Sequence, residues 1–220
     1  MNTRLFTIIY FTIAAIEIIA DTMHQRLLVY CTKPLLLISL AIYYYLNVSK
    51  PKLTRQDKVM LAALIFSLGG DVLLMIREYN LFIFGLGSFL IAHICYIVVF
   101  SKKIKLNNLA RIILMVYVFI FIYYLRGYVP SGLFVPVLLY ALTIATMGIK
   151  AFERQAATKK SYQFVAIGAV LFIISDSLIA INKFIELLPQ STLLIMGTYV
   201  LAQYLIVNGV LEENKSKYDR

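Results

Sequence analysis

The chain has 220 residues, 61% of them hydrophobic and only 15% charged, with a mean hydropathy of +0.84. Soluble domains are nearer half apolar and a quarter charged, so this composition excludes an ordinary water-soluble fold. The formal charge of +10 reads as basic loops lying against anionic lipid headgroups, and no nucleic-acid partner is expected.

Apolar runs fall at 5–20, 34–47, 59–76, 80–100, 111–126, 132–150, 162–182 and 192–211. Most have the length that a bilayer core demands. Inside lipid the backbone must satisfy its own hydrogen bonds, so each run is expected to be a helix. Leu5–Ala20 follows Arg4 as a signal-peptide core would, but Glu17 interrupts it and no A-x-A site follows, so it is kept as the first span. The second run is short, and Pro34 suits the first position of a helix. Lys33 then stands at a helix start, where a cation is unfavourable, which fits a phosphate or carboxylate partner and equally a simple interfacial anchor. Pro130 and Pro136 bracket the start of the sixth run, and Pro51 and Pro189 lie in loops. Trp is absent, and the 16 Tyr take the interfacial aromatic role. No long polar linker divides the chain, so residues 1–220 form a single transmembrane domain. Cys31 and Cys95 fall at different depths and make no disulfide framework.

Sixteen basic residues collect on one side of these spans: Arg4, Lys50, Lys52, Arg55, Lys58, Lys102, Lys103, Lys105, Arg111, Lys150, Arg154, Lys159, Lys160, Lys215, Lys217 and Arg220. The other side holds five, namely Arg26, Lys33, Arg77, Arg126 and Lys183. The split fits the positive-inside rule only with an even number of spans. The expected fold is therefore all-α, an integral bundle of eight transmembrane helices with both termini cytoplasmic. The absence of long tails and retention signals points to a bacterial inner membrane.

Ionisable residues within spans are costly and are functional candidates by default. Asp71 and Asp176 each lie about four residues past the middle of a span running from inside to outside, so both carboxyls sit about 6 Å beyond the midplane. Asp71 follows Gly69 and Gly70, with Ser67 one turn before it; Asp176 lies between Ser175 and Ser177, with Lys183 two turns on. His93 and Tyr96 share one face of the fourth span, and Tyr199 and Gln203 share one face of the eighth. Ser88 and Ala92 form a small-xxx-small contact. His93 reads as a buried hydrogen-bonding residue, and Glu17 with Asp21 as a wet rim near the outer surface. Two nearby carboxyls in apolar surroundings do not ionise together. One keeps its proton, and the pair becomes a general acid and a general base, able to open an ether, acetal or vinyl ether without metal.

Five stretches together resemble the YhhN family of transmembrane lysoplasmalogenases. They are Lys33-Pro34-Leu35, Phe66-Ser67-Leu68-Gly69-Gly70-Asp71, the run from Gly87 through His93 to Tyr96, Phe172-Ile173-Ile174-Ser175-Asp176-Ser177, and the run from Tyr199 through Gln203 to Ile206. Each is weak alone, and their order and spacing cover most of the chain. The resemblance implies hydrolysis of the vinyl ether bond of a lysoplasmalogen to a fatty aldehyde and a glycerophospho-headgroup. It implies Asp71 and Asp176 as the catalytic pair. His93, Tyr96, Tyr199 and Gln203 would orient acids or substrate, and Lys33 or Lys183 would meet the headgroup phosphate. The partners would be a lysophospholipid and membrane lipids, with no cofactor and no metal; the alkenyl tail would enter sideways between apolar helix faces. Two other classes fit parts of the pattern. A metalloamidase of the alkaline ceramidase type would need more histidines than His24 and His93. A proton-coupled transporter of a small amphiphile would use the buried acids as a relay, but the paired Gly/Pro-broken spans of such carriers are not evident.

Overall fold

The computed structural model describes residues 2–48, 53–76 and 81–218, with side chains as far as residue 215. Lys50, Pro51, Lys52, Arg77, Arg220, the Lys217 side chain and residue 80 of the expected fourth span lie outside the described set. The described residues form eight helices: α1 (Thr3–Thr22), α2 (Arg26–Asn47), α3 (Arg55–Met75), α4 (Phe82–Phe100), α5 (Asn108–Leu125), α6 (Ser131–Glu153), α7 (Lys159–Phe184) and α8 (Ser191–Tyr218). All eight are long and apolar enough to cross a membrane. The protein is an all-α, multi-pass membrane bundle.

The expected and observed helices differ most at α2. It begins at Arg26, and Pro34 lies well inside it. Leu27, Leu28, Val29 and Tyr30 extend the apolar run, and the Thr32 hydroxyl returns to the Leu28 carbonyl at 2.8 Å. Proline removes one helical donor, which membrane helices tolerate when neighbours meet the backbone. Lys33 is therefore two turns into a helix, not at its start. Elsewhere polar caps lengthen the helices beyond their apolar runs. Thr54 and Asp57 form a reciprocal capping box that starts α3 at Arg55. Thr158 accepts from the Ser161 amide at 3.0 Å and starts α7.

Neighbouring helices pack in the order α1, α2, α3, α4, α6, α7, α8 and back to α1, with α2 also touching α8. The result is a closed ring, and α5 packs outside it against α6. Lipid supplies no hydrophobic drive between helices, so close approach depends on small residues. At Gly70 the Phe89 ring of α4 lies so near α3 that an added Cβ would stand 2.4 Å from Phe89 Cδ2. At Gly168 of α7 an added Cβ would stand 3.0 Å from the Ala202 carbonyl oxygen of α8. Ser88 donates to the Phe66 carbonyl at 2.6 Å, joining α4 to α3 above Gly69.

The two ends of the ring differ in chemistry. Arg4, Arg55, Lys102, Lys103, Arg111 and Arg154 belong to one end, where α1, α3, α5 and α7 start. Here the loops after α4 and α6 are pinned by the Lys105 amide on the Glu153 carbonyl at 2.7 Å and the Gln155 amide on the Lys103 carbonyl at 2.8 Å. Glu153 also takes Arg111 at 2.5 Å and Lys150 at 2.8 Å. At the other end the bundle opens into a cleft of about 930 Å3, lined by residues of α2, α3, α4, α7 and α8 and the turn after α1.

Gly168→Ala is expected to push α7 from α8 and destabilise the bundle by about 1–3 kcal/mol, the usual effect of overpacking. Thermal unfolding in detergent reads this directly. Gly132→Ala, which meets nothing within 4 Å, should leave the midpoint unchanged.

Candidate active site

Asp71, His93, Tyr96, Tyr199 and Gln203 are buried within the bundle. α3 and α7 both run towards the cleft. Asp71 lies two residues before Leu73, and Asp176 three before Ile179, both cleft-lining residues. At 1.5 Å per residue each acid sits about one turn beneath the cleft floor. Tyr199 lies at the same level, three residues below Met196 of α8. These carboxyls occur on two helices of the same direction because both spans carry an acid in the half nearer the cleft.

Asp71 is buried, and its Oδ2 accepts from the Tyr199 hydroxyl at 2.8 Å. Gln203 Nε2 donates to the Tyr199 oxygen at 3.3 Å, and Tyr96 donates to Gln203 Oε1 at 2.6 Å. Tyr96, Gln203, Tyr199 and Asp71 thus form one directional chain of hydrogen bonds through α4, α8 and α3. Asp176 is held separately. Its Oδ2 accepts from the Tyr140 hydroxyl of α6 and faces His93 Nε2 at 3.3 Å. His93 Nε2 also meets the Tyr140 oxygen at 2.9 Å. With the Tyr140 proton directed at Asp176, this His93 nitrogen is assigned as the donor.

Phe172 stands between the two clusters, its ring 4.7 Å from that of His93 and 5.5 Å from that of Tyr199. Phe89 completes the wall, 6.1 Å from the Tyr199 ring and 6.4 Å from Phe172. The acids therefore occupy adjoining polar pockets at one level, each anchored by a phenol. Asp176 turns towards a narrow crevice between α5, α6 and α7, shared with Tyr117, Tyr140 and Ser177.

Lys33 and Lys183 both line the cleft, and Lys183 Nζ lies 4.4 Å above the Phe82 ring. The charged groups that act on Asp71 are Lys33, Glu17 and Asp176. Glu17 is not on a wet rim: it is fully buried, with Lys33 Nζ 3.7 Å from its Oε1. Lys33 reaches across from α2, and Glu17 is buried on α1 along with Tyr10 and Ala14. Asp21 does lie at the cleft, accepting from Thr192 at 3.1 Å. Among the described residues no three His, Cys, Asp or Glu side chains come together as a metal site.

Sequence reasoning missed Tyr140. It occupies the centre of the sixth apolar run, where a phenol must find a buried partner, and that depth was the available signal. Phe89 and Phe172 gave none, since an aromatic wall and an ordinary core aromatic look alike in sequence.

The YhhN family model matches residues 28–210. The chain belongs to the YhhN family. This YhhN protein is 31% identical over 165 residues to lysoplasmalogenase TMEM86A of Bos taurus, covering 71% of the chain and 66% of the relative. It is 32% identical to lysoplasmalogenase TMEM86B of Sus scrofa, covering 70% and 64%. It is 29% identical to a lysoplasmalogenase of Mycobacterium tuberculosis, covering 70% and 61%. The match thus spans a little under two thirds of the length of these curated relatives. No solved structure matches this YhhN fold.

Lys33→Met leaves Glu17 buried without its cation and is expected to destabilise the bundle by about 3 kcal/mol, the lower end for a broken buried pair because Lys33 retains access to the cleft. Lys33→Met combined with Glu17→Gln should recover most of that loss in thermal unfolding. Additive losses in the double variant would show that the pair is not coupled.

Proposed function

We propose that this protein is a lysoplasmalogenase of the cell membrane. It opens the vinyl ether bond of a lysoplasmalogen, releasing a fatty aldehyde and the glycerophospho-headgroup, and Asp71 and Asp176 are its metal-independent acid and base. The observation that carries the reading is the placement of the two acids at one level, beneath a cleft lined by Lys33 and Lys183 and beside an apolar crevice. A lysoplasmalogen has a phosphate at one end, a reactive ether in the middle and a hydrocarbon at the other. The names of the relatives supply the reaction.

In this reading the phosphate lies in the cleft against Lys33 and Lys183. Asp176 meets the hydrocarbon side of the ether, because it faces the apolar crevice. Tyr140 and His93 both address its Oδ2, which leaves Oδ1 towards the substrate. As the general acid Asp176 gives a proton to the outer vinyl carbon, and the adjacent carbon becomes an oxocarbenium conjugated with the ether oxygen. Asp71 takes a proton from water as the water oxygen bonds to that carbon, giving a hemiacetal. Collapse breaks the carbon–glycerol oxygen bond. Asp71 returns its proton to the glycerol oxygen, and the hemiacetal hydroxyl proton restores Asp176. One water is consumed, and both acids end as they began. Tyr199, with Gln203 and Tyr96 behind it, fixes the Asp71 rotamer throughout.

Purified protein is expected to release aldehyde from lysoplasmenylethanolamine with chelator present. Asp71→Asn and Asp176→Asn should each lower the rate by at least about a hundredfold while folding normally, the scale of a lost general acid or base. Folded wild type that releases no aldehyde from any vinyl ether lipid would remove the enzyme reading and turn attention to transport.

The orientation follows the basic residues, with the basic end in the cytoplasm of a bacterial cell and the cleft on the outer side of its inner membrane. Green fluorescent protein fused after Arg220 should fluoresce, and alkaline phosphatase fused there should be inactive. The opposite pair of results would invert the bundle.

A further inference from the structure

Between α5 and α7 lies a groove of about 430 Å3, lined by apolar side chains apart from Asn107 at one end and Tyr117 at the other. Leu114 of α5 and Ile173 of α7 close over Gly148 of α6, where an added Cβ would stand 3.0 Å from Leu114 Cδ1 and 2.8 Å from Ile173 Cδ1. Tyr117 and Ile173 also line the crevice that holds Asp176 and Ser177. The groove and the acid's crevice therefore meet end to end. Tyr117 marks the junction, its hydroxyl donating to Ser177 Oγ at 2.5 Å.

The order along α7 is informative. Lys183 lines the cleft, Asp176 lies seven residues earlier, and Val170 of the groove lies six residues before that. At 1.5 Å per residue these steps are about 10 Å and about 9 Å. Charge, acid and apolar groove thus follow one another along a single helix, in the order of headgroup, ether and hydrocarbon in a lysolipid. α5 packs outside the ring, so the groove opens sideways to the bilayer.

The geometry points to this groove as the binding site of the lysolipid hydrocarbon chain, loaded and emptied between α5 and α7. The inference rests on the lysoplasmalogenase reading for the bond that reacts, but the site itself would hold a chain whatever the chemistry. Two measurements separate the two ideas.

The first fills the groove. Val170→Trp is expected to lower kcat/KM for a long-chain lysoplasmalogen by about tenfold, mostly through KM, the scale of displacing roughly two methylenes from an apolar site. A short-chain lysoplasmalogen that ends before Val170 should be hydrolysed as by wild type. Val116→Trp, on the half-exposed lipid face of α5, should change neither. Equal loss on both chain lengths, or no loss on either, would overturn the proposal.

The second needs no turnover. A lysophosphatidylethanolamine with a diazirine at its chain end, photolysed with the full-length protein in liposomes, should label Ala110–Leu114 and Val170–Ile174. Unlabelled lysolipid should compete, and Val170→Trp should abolish the labelling. Labelling spread over the outer face of α5 and insensitive to competitor would mean the groove holds bulk bilayer lipid, and the proposal would fall. If wild type is inactive on vinyl ethers but labels the groove competitively, the reaction is wrong and the chain site stands.

Discussion

Long side chains that cross the ring from α8 to α3 and α4 organise the interior of this bundle. Tyr199 reaches Asp71 at 2.8 Å, and Tyr96 donates to Gln203 at 2.6 Å. The position of α8 is set from behind, where Gly168 of α7 admits the α8 backbone and Gly70 of α3 admits the Phe89 ring. In lipid an unmet polar group is costly, so the hydrogen-bonded chain and the helix spacing stabilise one another. The glycines and the acid are thus parts of one device, although only the acid has chemistry to offer.

The ring also explains why α5 stands apart. Seven helices close the circle, leaving α5 to pack outside against α6. Its inward attachments include Arg111 on Glu153 at the basic end, Leu114 over Gly148 and Tyr117 on Ser177, with Ala110, Val118 and Leu125 buried along the same helix.

Much of this was legible in the residues. The eight spans, the alternation of basic loops and the depth of Asp71 and Asp176 followed from hydropathy, charge and helical rise. These are one-dimensional properties, and a membrane turns one dimension into depth. Helix ends were harder, because Thr54 and Thr158 extend helices by capping beyond the apolar run, and because Lys33 disguised the first two turns of α2. Glu17 was misplaced for a related reason. Depth alone suggested a wet rim, whereas burial depends on which way the residue faces around α1, and that angle is fixed by packing against α2. Tyr140 and the Phe89–Phe172 wall were hidden because azimuth and partner cannot be read from a run of apolar letters.

The wall between the acids bears on how they can work. Two carboxyls in direct contact would share one proton and act as a single titrating unit. Here Phe172 touches His93 on one side and Tyr199 on the other, and each carboxyl has its own phenol donor. The two carboxyls therefore face different surroundings, Asp176 the apolar crevice and Asp71 the chain of Tyr199, Gln203 and Tyr96. The proposed vinyl ether reaction needs that separation, since the proton goes to one carbon and water to the next. A narrower site that paired the acids directly would confuse the two roles. The aromatic partition keeps the two acids in separate pockets, as the proposed reaction requires.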